Sequence, residues 1–151
     1  MRTVVFLSTL CLAGVATTAV AQQPVEKQGK PQAAAAGVKL ADVAGTWAIK
    51  SMVGPKDSVV ATSELTATAD GKGWVTRFPN REPIATRVVS LGGDSIVTEM
   101  GPYQSVLRAG QTVNLLRTVG HYQGDTVTGT FEAHYANGEV LKGKIAGTRK
   151  K

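Results

Sequence analysis

Cysteine is nearly absent. Cys11 is the only one among 151 residues, and histidine occurs only twice. If the N-terminal segment carrying Cys11 is removed, the remaining chain has no disulfide, no thiolate metal site and no thiol nucleophile. Aromatic residues make up only 5% of the chain, so there is no aromatic-and-basic stripe of the kind that binds nucleic acid. Beyond the first twenty residues no apolar run approaches the ~20 residues a membrane-spanning helix requires. The nucleophile elbow Gly-x-Ser-x-Gly is missing. No phosphate-cradling glycine loop is present, and Gly71-Lys72-Gly73 reads as a hairpin tip.

The N-terminus carries an address. Met1-Arg2 is a short positive start, residues 3–15 are apolar and uncharged, and Ala19-Val20-Ala21 is a small-x-small site followed by Gln22-Gln23-Pro24. These are the parts of a secretory signal peptide spanning 1–21. The run fades at Thr17-Thr18, too early for an anchor, and Leu10 before Cys11 is unsuited to lipid attachment. The expectation is an exported protein, periplasmic or extracellular. Residues 22–39 hold Pro24, Gly29, Pro31 and Ala33 to Ala36, too little bulky apolar surface to fold, and read as a flexible tether. The formal charge of +6 is diffuse. Its one dense cluster, Arg149-Lys150-Lys151, reads as a solvated end.

Residues 40–151 change texture. Short β-prone runs alternate with turn residues about every ten positions, placing strands at 46–53, 58–68, 73–78, 83–91, 95–100, 103–108, 112–122, 126–135 and 140–148. Period-two alternation supports several of them. In the second run Val59, Ala61, Leu65 and Ala67 share one face and Thr62, Glu64, Thr66 and Thr68 the other. Asp70-Gly71, Gly92-Gly93-Asp94, Gly124-Asp125 and Asn137-Gly138 are tight-turn pairs. Connections this short demand antiparallel neighbours. The fold class is therefore all-β, an antiparallel meander of eight or nine strands, and closure into a barrel removes its two exposed edges.

Gly45-Thr46-Trp47 opens the first strand and Arg149 ends the last. This pattern resembles the calycin superfamily (lipocalins, fatty-acid-binding proteins, avidins). The resemblance implies a lipocalin-like barrel in which Gly45 and Trp47 begin the wall and Arg149 packs over Trp47 to close the floor. With only two tryptophans, the biotin box of avidins is not reproduced, and no Thr-Asp-Tyr-like motif is present. Because calycins bind many unrelated ligands, the match speaks to fold above function.

Among chemical candidates, Gly93-Asp94-Ser95-Ile96 superficially resembles the nucleophile block of Gly-Asp-Ser-Leu hydrolases. That family needs an Asp-x-x-His late in the chain and a helix after the serine. Here no Asp-x-x-His occurs and Ser95 heads a strand, so a turn is expected. His121 and His134 lack metal-ligand spacing, and Met52 and Met100 read as core filler rather than copper ligands. Glu64, Glu99 and Glu132 fall in the polar phase of their strands and read as a solvated face. Arg117 shares a phase with Val113, Leu115 and Val119, which looks inward. The opposite phase, Asn114, Leu116, Thr118 and Tyr122, is a plausible alternative.

The expected function is non-catalytic binding of a small, partly apolar molecule inside the barrel. Trp74, Phe78, Met100, Leu115 and Phe131 would line the cavity, and Arg117 would anchor a polar group. No cofactor, metal or catalytic residue is expected, and barrel closure favours a monomer. The alternative is an envelope or secreted interaction module with a filled barrel. Its contacts would be made by residues 52–57, residues 79–83 or a basic surface. Interior volume discriminates the two: an empty cavity of several hundred Å³ suits a ligand, while a packed interior pushes function to the loops.

Overall fold

The computed structural model describes residues 37–151. The export segment 1–21 and residues 22–36 of the tether lie outside the described residues. A single helical turn, α1 (Leu40–Val43), precedes β1 (Gly45–Val53), β2 (Ser58–Ala67), β3 (Trp74–Arg77), β4 (Ile84–Gly92), β5 (Ser95–Met100), β6 (Tyr103–Gln104), β7 (Thr112–Gln123), β8 (Thr126–Tyr135) and β9 (Val140–Arg149). Every pairing is antiparallel. The sheet closes because β1 pairs with both β2 and β9, while β5 pairs with β7. The result is an eight-stranded closed meander, with β6 added beside the start of β7.

Closure follows from the residue pattern. Two-residue turns join β4 to β5 and β7 to β8, and Gly124 takes φ +59° in the second of them, where a Cβ would be strained. Inward positions carry the core, including Trp47, Ile49, Leu65, Trp74, Ile96, Val127, Phe131 and Ile145. Strand glycines accommodate the tight curvature. A Cβ on Gly143 would lie 2.3 Å from the Met52 carbonyl oxygen and 2.5 Å from the Phe131 ring.

One end forms a floor. Trp47 is fully buried and its indole N–H donates to the Val43 carbonyl at 2.8 Å. The Arg149 guanidinium stacks 4.5 Å above the Trp47 ring and donates to the carbonyls of Ala44 and Asp42 and to the Asp125 carboxylate. Gly45, at φ +131°, leaves room beside the Arg149 guanidinium. This is the arrangement implied for Gly45, Trp47 and Arg149. The floor also takes in Val38, whose amide donates to Gly93.

Three expectations require correction. The sixth strand is two residues long rather than six, because the Ser105 hydroxyl accepts the amides of Leu107 and Arg108 and turns the chain. Leu115 and Arg117 face outward. A register shift between Val113 and Leu115 inverts the phase of β7, so that Leu116, Thr118, Gly120 and Tyr122 face the interior. Val59 is 53% exposed, because a second shift at Ser51/Met52 turns it out of the barrel.

Candidate functional site

The barrel interior holds a cavity of about 60 Å³, well short of the several hundred Å³ expected of a ligand site. Its apolar lining includes Phe131 on β8, Ile145 on β9, Ile49 on β1 and Ile96 on β5. Hydroxyl side chains are interleaved with it. Ser51 on β1, Ser63 on β2, Thr76 on β3, Thr86 on β4, Thr98 on β5 and Thr118 on β7 each turn a hydroxyl-bearing side chain to the same space. Register builds this belt, since Thr98 stands directly opposite Thr118. The Thr76 and Thr86 hydroxyls bond one another at 2.9 Å. The side chains of Ser51, Ser63, Thr98 and Thr118 make no hydrogen bond to another group among the described residues. Ser51, Ser63 and Thr118 are partly exposed, and the buried side-chain polar atom left without a partner among the described residues is Gln111 Oε1, so these hydroxyls are open to water or a ligand rather than sealed in the core.

Residues 101–111 cover the mouth. Tyr103 stacks on Phe78 with ring centroids 5.7 Å apart. Arg81 donates to the carbonyls of Gln104 and Ser105 at 3.0 and 3.4 Å. Arg108 lies 4.7 Å over the Tyr135 ring and pairs with Glu139. Beneath this cover is a second void of about 30 Å³, which shares Ser51, Phe78, Leu116 and Phe131 with the larger one.

Of the lining residues expected from sequence, Phe78, Met100 and Phe131 border the cavity. Trp74 is fully buried below it, held by an indole bond to the Thr68 carbonyl at 2.8 Å. Leu115 and Arg117 stand on the outer face. Sequence reasoning missed the hydroxyl belt. Its signal is threonine or serine recurring in the same phase as the apolar core, as in Thr76 beside Phe78 and Thr98 between Ile96 and Met100.

Arg117 belongs to an outer row of charges instead. Arg87, Glu99, Arg117, Glu132 and Lys142 are direct cross-strand partners in succession from β4 to β9. Glu99 is gripped by Arg87 at 2.5 Å and Arg117 at 2.7 Å, and its side chain is only 10% exposed. Lys142 meets Glu132 at 2.6 Å. Glu99 thus departs from the solvated reading: it is on the outer face, but two guanidinium groups cover it. The hydrogen bond from Arg87, aided by Arg117, holds its carboxyl below the usual range.

The Asp94–Ser95 turn meets His121, a proximity the sequence spacing hides. Ser95 Oγ and Asp94 Oδ1 lie 2.8 and 3.1 Å from His121 Nδ1. Both contacts use one ring nitrogen, whereas a nucleophilic relay uses opposite nitrogens to join base to serine and carboxylate to base. The cluster locks the β4–β5 turn to β7. Hydrogen bonds from His121 and then Ser95 lower the Asp94 carboxyl. Among the described residues no three His, Cys, Asp or Glu converge as a metal site, and no helix is long and apolar enough to cross a membrane.

These groups set a two-sided pH dependence. Glu64, Asp70, Asp94, Glu99, Glu132 and Glu139 all have lowered carboxyl pKa values. Their contribution is complete above the unfolded range of ~4 and is lost as pH falls through the folded values. Burial pushes the Tyr103 and Tyr122 phenols up to about 12. Their contribution is complete below the unfolded value of about 10 and is lost as pH rises through about 12. Thermal melts should therefore show a level plateau at neutral pH, an acid limb below pH ~4 and an alkaline limb. Glu99→Gln should make the acid limb shallower. An unchanged acid limb would remove Glu99 from this account.

No family model matches the chain, and neither a curated protein nor a solved structure does.

Proposed function

We propose that this is an exported, non-catalytic binding protein of calycin type, acting as a monomer and holding a compact amphipathic molecule inside its barrel. The observation that carries this reading is the belt of hydroxyls around an interior void. Ser51, Ser63, Thr98 and Thr118 make no side-chain hydrogen bond to another described group, so their donors and acceptors are available to a ligand's polar atoms. A ligand with an apolar body and one or two polar atoms matches this mixed lining. The cavity is small, so the interior portion of the ligand is compact, not a long lipid tail. The lining supplies no paired acid and base, and binding needs no covalent step.

Native mass spectrometry of the protein purified without detergent from its own host tests this. The expected result is a reproducible mass excess that disappears on denaturation. A clean mass that persists after incubation with the host's small-molecule extract would overturn the reading. The barrel would then be a filled scaffold, and crosslinking should look for a protein partner at residues 52–57 and 79–83.

A further inference from the structure

The wall of the barrel is thinnest on one side. The β2–β3 ladder runs only from Thr66↔Val75 to Glu64↔Arg77. Above it, residues 58–63 of β2 pair with β1 alone, and residues 78–83 turn away before β4 begins. Outside this gap lies a groove of about 340 Å³. Ser63 and Phe78 border both the groove and the interior cavity, so the separation there is one side chain thick.

The groove is charged in a particular way. Of the six arginines among the described residues, Arg87, Arg108, Arg117 and Arg149 pair with carboxylates. Arg77 and Arg81 have no carboxylate within pairing distance among the described residues. Arg77 lines the groove and, with Arg81, its extension past Asn80. Glu64, the carboxylate in the groove and the cross-strand partner of Arg77, is already held by Lys150, and Glu82 lines the extension without pairing to either arginine. This leaves a free guanidinium fork beside a door into an apolar and hydroxylated interior.

We propose that the barrel is loaded from the side, between β2 and residues 78–83, and that its ligand is a compact monocarboxylate whose head group rests on Arg77 while its short apolar body passes Phe78. The inference rests on the interior-binding reading. A guanidinium presents paired donors matched to a carboxylate, and Arg77 is exposed and makes no salt bridge among the described residues, its cross-strand neighbour Glu64 being paired with Lys150.

Butanoate and 1-butanol, equal in chain length and different in charge, are the probes. Each is titrated into the isotope-labelled protein with amide chemical shifts recorded. Butanoate should shift Ser63, Arg77 and Phe78 together with interior Thr98 and Thr118, and butanol the interior alone. Arg77→Gln, at an exposed position, should weaken butanoate about tenfold and leave butanol unchanged. Arg77→Lys should recover part of the loss. Unaltered butanoate affinity in Arg77→Gln, with interior shifts intact, would overturn the side-loading inference and spare interior binding. Shifts at residues 105–108 without Ser63 and Phe78 would place the path at the mouth and also overturn it. Interior amides unmoved by either probe would end both readings.

Discussion

Trp47→Ala should cost about 3–5 kcal/mol, the range for emptying a fully buried large aromatic site. Against the ~5–15 kcal/mol by which small domains are stable, that removes much of the margin. Three contacts fail together. The indole bond to Val43 is lost, the edge contact with Tyr122 at 5.1 Å disappears, and Arg149 loses the ring beneath it. Arg149 in turn ties the last strand to Asp42 and Ala44 at the start of the first, so the seam between β1 and β9 should loosen first. Urea denaturation followed by circular dichroism gives the loss, and amide exchange locates it. Trp47→Phe, which keeps a ring under Arg149 but removes the N–H, should lose less. A cost for Trp47→Ala under about 1 kcal/mol, typical of an ordinary substitution, would mean that the floor is not what closes the barrel.

Gly129→Val should be nearly as damaging, about 3 kcal/mol or more, at the upper end of what overpacking costs. A Cβ there would lie 1.9 Å from the Val119 carbonyl oxygen. The obstacle is backbone on the adjacent strand and cannot rotate aside. Gly129 pairs with Gly120 on β7 and Ile145 on β9, so relief requires moving two strands of the wall. Gly92→Ala is the control. Nothing lies within 4 Å of its Cβ, and its cost should stay within about 0.5 kcal/mol. The same denaturation measurement on both variants decides the matter. Equal stabilities would mean that the close approach of β7 and β8 does not constrain the barrel.

The meander and its closure were legible because they rest on local chemistry: glycine at turns, alternation along strands, and the Gly45–Trp47 and Arg149 pairing at the two chain ends. The faces of β8 and the lower part of β2 could be read the same way, and Leu65, Ala67, Phe131 and Ala133 are buried as their phase requires. The failures fall after bulges. One extra residue reverses inside and outside for all that follows, and nothing local in residues 112–116 marks the shift that put Arg117 outside. The cavity was legible only in part, through Phe78, Met100 and Phe131. Its hydroxyls escaped notice because threonine suits either face of a strand, and only closure shows that six strands bring a hydroxyl to one cavity. The thin wall beside Phe78 depends on where the short β3 ladder ends, a property of pairing rather than of composition.

The row from Arg87 to Lys142 bears on how the strands find one another. Apolar alternation rejects a slip of one residue, since that would turn the core outward. It is blind to a slip of two, which preserves every inside and outside assignment. The charges are not blind to it. A two-residue displacement of β8 would set Arg117 against Thr130 or His134 in place of Glu132, and the same shift of β5 would take Glu99 from between its two arginines. The surface of this barrel therefore adds a second determinant of register from β4 to β9, beside the close approach at Gly129 that also opposes such a slip.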